Sequence, residues 1–311
     1  MSAGSVPGAV EIVEVSPRDG LQNDRIALDT ATKVGLITRC LDAGTKRIEV
    51  CSFVNPERVP QMADAEAVLD ALPERDDVTY VGLVLNRRGF ERAAKTRLQE
   101  INVVIVSTDS FGRKNQGATI EDALNTATEI AALAADAGMR TSAVLTTSFG
   151  CPFEGEVPQR VLVEIAERVA GTAIAELALA DTIGVASPLD VKERLAAIRA
   201  AIGDSLRLRC HFHNTRNTGV ANAWAAVECG VTSLDASLGG IGGCPFAPNA
   251  TGNIPTEDVA YMLRRAGIET GLSLDKLAEA VGWLEGLLDR RVPGLYAKAG
   301  PFPTTRPQSP G

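Results

Sequence analysis

Apolar residues in this chain follow two rhythms. Eight short runs, Val10–Val15, Arg47–Cys51, Thr79–Leu85, Ile101–Val106, Thr141–Thr146, Glu176–Ala180, Leu206–His211 and Ser233–Ala236, have the length and β-branched content of strands. Ala-rich stretches of helical period lie between them. Strand and helix alternate without a composition break or linker, which predicts a closed parallel (β/α)8 TIM barrel rather than an open doubly wound sheet. The pattern assigns residues 9–292 to one domain. It leaves 1–8 as a flexible arm and 293–311, rich in Pro and Gly, as a surface tail.

In such a barrel, reactive groups gather at the C-terminal ends of the strands. The chain places Arg18 with Asp19, Glu49, Asn86, Ser107 with Asp109, Thr146 with Thr147, Asp181, and His211 with His213 at those ends. One polar residue after a strand is ordinary loop chemistry. One after nearly every strand predicts a polar ring around a single mouth. The segment from Gly239 to Asn253 follows the eighth run. It is rich in glycine, carries Cys244 between Gly243 and Pro245, and has the backbone freedom of a mobile lid.

Composition narrows the class. Hydrophobic residues make up 45% of the chain and aromatics only 4%, so Ala, Val, Leu and Ile must fill the core. The net charge is −8 with no basic block, which argues against nucleic acid and requires local cations to gather an anionic ligand. No apolar run reaches the roughly 18 residues of a membrane span. The first residues lack the basic and apolar segments of a signal peptide. Six cysteines without C-x-x-C spacing indicate neither a zinc knuckle nor a disulfide framework, and point to a reducing, cytoplasmic setting.

Only two histidines occur, both in His211-Phe212-His213 at the end of the seventh run. Strand side chains two apart share a face, so two imidazoles converge on one spot. That leaves a divalent-metal site or a pair of hydrogen-bonded core histidines.

Four segments decide between these: Ser16-Pro-Arg-Asp-Gly-Leu-Gln-Asn23, Ile48-Glu-Val-Cys-Ser-Phe53, His211-Phe-His-Asn-Thr215, and Gly242-Gly-Cys-Pro-Phe-Ala247 with Gly252-Asn253. Together they resemble the 3-hydroxy-3-methylglutaryl-CoA lyase family, from about Val10 to Leu288. The resemblance implies a divalent cation, Mg²⁺ or Mn²⁺, on Asp19, His211, His213 and Asn253, an oxygen-rich set without thiolate. It also implies an acyl-CoA substrate, a homo-oligomer, and cleavage to acetyl-CoA and acetoacetate, a closing step of leucine breakdown. Arg18 would face the thioester carbonyl where enolate charge grows, and Cys244 would protonate the enolate carbon. Glu49 and Asp181 are read either as catalytic groups, Glu49 bonding Arg18 or a metal-bound group to hold the metal shell and Asp181 doing likewise or shuttling a proton, or as satisfied carboxylates of the barrel mouth. Gln22, Ser52 and Asn86 are candidates for substrate contact, and the Arg113-Lys114-Asn115 run reads first as a solvated face. The base is open between Asp19 and His211.

One departure bears on substrate. Lyases of this kind carry Asp after the second histidine, where this chain has Asn214, as do the related Claisen synthases. Those synthases lack the Gly-Gly-Cys-Pro loop. Citramalyl-CoA or a longer 3-alkyl analogue is therefore an alternative substrate, a Claisen-type acyltransferase is the rival reaction, and a non-catalytic binding barrel is the third reading.

Overall fold

The computed structural model describes residues 6–243 and 252–303. Eight parallel strands close in sequence order into a barrel: β1 (Glu11–Glu14), β2 (Arg47–Ser52), β3 (Thr79–Val84), β4 (Glu100–Val106), β5 (Arg140–Thr146), β6 (Glu176–Asp181), β7 (Arg207–Phe212) and β8 (Ser233–Ala236), with β8 pairing back on β1. This is the (β/α)8 TIM barrel expected from the alternation, with strand limits shifted by about a residue. Asp181 is the last residue of β6. Glu49 lies inside β2 rather than after it, just before a register irregularity between Glu49 and Cys51.

Helices cover the outside: α1 (Thr30–Asp42), α2 (Ala65–Ala71), α3 (Arg87–Ala93), α4 (Asp109–Asn115), α5 (Ile120–Asp136), α6 (Gln159–Ala170), α7 (Pro188–Ile202), α8 (Gly219–Glu228), α9 (Thr256–Arg265), α10 (Leu274–Leu288) and the short α11 (Tyr296–Ala299). Local chemistry starts them. Thr119 and Asp122 form a reciprocal capping box ahead of α5, as do Ser187 and Asp190 ahead of α7, where Pro188 takes the first turn. Ala123, Ala127, Ile130, Ala131 and Ala134 then give α5 a buried stripe at helical spacing. None of the described helices is long and apolar enough to cross a membrane.

The main apolar core lies between sheet and helices, where Leu177, Leu208 and Phe212 meet helical residues such as Leu195 and Ala223. The barrel interior is different. Arg47 ion-pairs with Glu100 and Glu176, Arg140 with the same two carboxylates, and Arg209 with Glu176 and Asp235. Apolar packing inside the sheet is confined to a small cluster of Val144, Ala178 and Ala180 with Val104 against it.

Two expectations about the ends change. Gly8, assigned to the flexible arm, accepts the Glu269 N–H through its carbonyl at 3.0 Å. The described part of the C-terminal stretch is docked rather than trailing. Asp258 accepts the N–H groups of Leu295 and Tyr296, and the Tyr296 ring lies 5.4 Å from Tyr261. Val292 and Tyr296 are apolar anchors that the Pro/Gly-rich context obscures.

Candidate metal-centred active site

The site is built from the first turn upward. After β1 the chain makes a π-helical turn over Ser16–Gly20, with Pro17 near its start, and this swings Arg18 and Asp19 over the mouth. Gly20 has no room for a side chain, since a Cβ there would lie 2.8 Å from Ile241. Glu14 fixes the turn from below by accepting the Ser16 and Leu238 N–H groups, both at 2.9 Å, and the Thr256 hydroxyl at 2.7 Å. Burial pushes the Glu14 pKa up against these bonds.

Arg18 is buried between two carboxylates. It donates to Asp19 Oδ1 at 2.6 Å and through Nε to Glu49 Oε1, while Glu49 Oε2 accepts from Asn102 Nδ2 at 2.8 Å. Burial alone would weaken the cation, but the charges of Glu49 and Asp19 outweigh it and raise the Arg18 pKa. Burial likewise works against the Asp19 carboxylate, yet Arg18 and the two imidazoles hold its pKa well below the ordinary value.

His211 is the penultimate residue of β7, and its ring centroid is 5.1 Å from that of His213. Its Nδ1 bonds Asp235 Oδ2 at 3.1 Å, leaving Nε2 for another partner. Burial lowers the His211 pKa, but the Asp235 hydrogen bond and the charge of Asp19 bring a net rise. His213 Nε2 is 3.9 Å from Asp19 Oδ2, and its Nδ1 is buried without a hydrogen-bond partner. Asp19, His211 and His213 each offer a ligand atom, and these atoms lie within 4.8 Å of one another. The residues fit a divalent cation. One carboxylate and two imidazoles converge, and the buried His213 Nδ1 lacks a hydrogen-bond partner among the described residues.

Asn253 is drawn against this group. It bridges His213 across the backbone, and its Nδ2 donates to Asp19 Oδ2 at 2.8 Å and to the Ile241 carbonyl at 3.1 Å. The approach requires glycine, because a Cβ on Gly242 (φ +130°) would sit 2.5 Å from Asn253 Nδ2. The two described ends of the glycine-rich segment are thus tightly packed. Cys244, and most of the segment read as a lid, lie outside the described residues.

Other expected residues divide. Gln22 and Asn86 line the same cavity, of about 1190 Å³, as Arg18, Asp19, His211 and His213. Asn86 also caps α3 by accepting the Gly89 N–H at 3.0 Å. Ser52 is buried behind the wall and bonds Gln22 Oε1 at 3.1 Å, so it reaches the cavity only through Gln22. Asp181 turns from the mouth: both its oxygens accept backbone N–H groups, from Val185 and Ala186, and shape the loop after β6, while burial raises its pKa. Asn214, read as a signal about substrate, accepts the Gly219 N–H at 3.0 Å and starts α8. Arg113 pairs with Asp109 and Lys114 covers the Phe153 ring, the solvated face expected, while Asn115 lines the cavity. Sequence reading missed Asp235 on β8 and Asn102 on β4, whose side chains reach His211 and Glu49.

Fold and site define a class: a (β/α)8 barrel whose mouth holds a candidate divalent-metal triad beside a buried arginine. The chain belongs to the HMGL-like family, whose model matches residues 9–282, and is a lyase of that metal-dependent family. It is 43% identical over 304 residues to the (R)-citramalyl-CoA lyase of Chloroflexus aurantiacus, covering 94% of this chain and 95% of that one. It is 38% identical over 287 residues to the hydroxymethylglutaryl-CoA lyase YngG of Bacillus subtilis, covering 92% and 96%. Among solved structures, an HMG-CoA lyase from Acinetobacter baumannii in complex with coenzyme A and 3-methylmalate superposes with a TM-score of 0.91 at 37% identity, covering 97% of this chain and 98% of that one.

Proposed function

We propose that the chain cleaves 3-hydroxy-3-methylglutaryl-CoA between C2 and C3, giving acetyl-CoA and acetoacetate, a closing step of leucine breakdown. The observation that carries this reading is the convergence of Asp19, His211 and His213 on one point beside Arg18, inside a cavity large enough for an acyl thioester. Identity of 38% to a hydroxymethylglutaryl-CoA lyase supports the reaction.

A divalent cation bound by Asp19, His211 and His213, with the side-chain oxygen of Asn253, would supply a Lewis acid that acidifies the tertiary hydroxyl. Glu49 and Asp19 hold the Arg18 guanidinium rigid through Nε and Nη1, and its remaining donors would face the forming thioester enolate, where stabilisation is greatest as charge develops. Asp235 fixes His211 with Nε2 turned to the site. Asp19 and His211 are the groups placed to receive the hydroxyl proton. Cys244 is assigned by sequence as the acid that protonates the enolate carbon.

A second reading has specific support. The 43% identity to a citramalyl-CoA lyase favours citramalyl-CoA, whose cleavage between the same carbons yields acetyl-CoA and pyruvate. A related lyase in complex with coenzyme A and 3-methylmalate supports a site for a short branched hydroxy diacid. Parallel kcat/KM measurements on both thioesters, after EDTA treatment and after adding back Mg²⁺ or Mn²⁺, decide between them. The expected result is cleavage lost on chelation and restored by metal. Absence of cleavage of either ester, or release of CoA thiol from acetyl-CoA and a 2-keto acid instead, overturns the reading.

A further inference from the structure

The mouth has two unlike halves. The arc from β7 through β8 to β2 carries His211, Asp235, Arg18 and Glu49. The arc from β4 to β6 carries Val104, Val144, Ala178 and Ala180, the apolar cluster that stands apart from the main core. Register joins the two. Ala180 is paired with His211, Ala178 with Val144, and Val144 with Val104. Neighbouring strands lie about 4.8 Å apart, so Ala180 stands one spacing from the His211 strand, Val144 two and Val104 three. Val104, Val144 and Ala180 line the same cavity as the metal triad.

Charge assigns the two halves different cargo. Arg18 is on the metal side, and the other arginines lining the cavity, Arg58, Arg88 and Arg92, lie on segments after β2 and β3. Among the described lining residues, none on β4, β5 or β6 is a cation. A carboxylate on the acyl group finds its counter-charge at Arg18 and the metal site, and would be stranded against the valines. The substituent that points across Ala180 must be uncharged. It also has space, because Ala180, which lines the cavity, projects no farther than Cβ. A four-carbon chain extends about 5 Å, one strand spacing, which takes it from above Ala180 to Val144.

We infer that Val104, Val144 and Ala180 line the pocket for the alkyl branch on C3, and that the enzyme accepts 3-hydroxy-3-alkylacyl-CoA esters with branches longer than methyl. This rests on the lyase reading for the chemistry and on the apolar arc for the selectivity. The test is kcat/KM for 3-hydroxy-3-methylglutaryl-CoA and its 3-butyl analogue with wild type, V144F and V144A. Calorimetric affinities of the two free 3-alkyl-3-hydroxyglutarates for the metal-loaded proteins are measured in parallel. Wild type should cleave both within about tenfold. Since a methylene in an apolar pocket is worth roughly 10- to 200-fold, V144F should lower the butyl-to-methyl ratio at least about 30-fold. V144A should move it the other way, which misfolding cannot imitate. Cleavage of the methyl ester with a ratio indifferent to both substitutions, or wild-type rejection of the butyl ester by more than about a thousandfold, overturns the pocket while leaving the lyase reading intact. No cleavage of either ester, with V144F still reversing the calorimetric preference, sinks the lyase reading and leaves the pocket standing.

Discussion

At His211 the ring that faces the site is itself held, since Nδ1 is committed to Asp235 and Asp235 is in turn paired with the buried Arg209. Removing that hold frees the ring to rotate and to exchange its two nitrogens. Asp235→Ala should weaken Mn²⁺ binding about 10- to 100-fold by calorimetry, the usual cost of losing such a partner. Asp235→Asn, which keeps an acceptor, should lose less. Arg18→Lys should behave differently. It preserves charge but gives up the fork between Asp19 and Glu49, so kcat should fall about 10²- to 10³-fold while Mn²⁺ affinity changes little. Equal losses in both measurements would show that Arg18 serves the metal instead. Cys244→Ala should leave Mn²⁺ affinity intact and cut kcat at least about a hundredfold, as expected for a proton donor. The residues legible in the sequence were those with an unusual local pattern: the only two histidines in one tripeptide, and Arg18-Asp19 between a proline and a glycine. Asp235 was illegible because one acid in Ser233-Leu-Asp-Ala236 looks like loop chemistry until barrel closure turns it inward. Asn214 also has a structural role that its place after a histidine does not reveal: its side chain accepts the Gly219 N–H at the start of α8.

The strands explain why the elements were legible and their facing was not. In β2, Arg47-Ile48-Glu49-Val50 alternates polar with apolar, and β7 does the same through Arg207-Leu208-Arg209-Cys210-His211. Alternation normally marks a strand with one face in water. Here the polar face is the barrel interior and the apolar face packs on helices, so run length and spacing located the strands while the periodicity said nothing about which side is inside. The consequence is an interior that depends on complete ion pairing. Arg47 reaches both Glu100 and Glu176, all three being buried. Arg47→Met leaves two carboxylates short of a partner at the barrel floor. It should lower the unfolding free energy by about 3–5 kcal/mol in urea titrations. Glu121, whose partner Arg168 is exposed on the outer helices, should tolerate Gln with little change in the urea midpoint. Similar losses for both would mean that the interior network carries no special burden.

For the molecule as a whole, the buried carboxyl groups set the pH range of stability, and they pull in opposite directions. Asp19 and Glu176 are held below their ordinary pKa values by neighbouring cations despite burial. They bind fewer protons folded than unfolded in acid, and the stability they contribute is lost as pH falls through their folded pKa values. Glu257, at the start of α9, is the reverse case. Burial is the largest cause and outweighs the bond that one oxygen accepts from the Gly239 N–H, and its pKa rises from 4.5 to about 8. Below about pH 4.5 Glu257 is protonated both folded and unfolded, so it adds no slope there. Between that point and about 8 only the folded chain keeps the proton, so stability falls as pH rises, by up to about 1.4 kcal/mol per pH unit, and levels off beyond. The thermal midpoint should therefore peak on the acid side of neutrality and decline toward pH 8. Glu257→Gln keeps the acceptor for Gly239 and cannot ionise. It should flatten the decline between pH 5 and 8 and raise the midpoint at pH 8 above that of wild type, while leaving the fall below pH 4 in place. Because Glu257 holds Gly239, five residues before Cys244 in the sequence, the same variant asks whether this carboxyl also affects turnover. If its role is confined to stability, kcat at pH 7 should follow the folded fraction alone, and a melting profile as steep as that of wild type would locate the titrating group elsewhere, with Glu14 and Asp181 the next carboxyls whose burial raises their pKa.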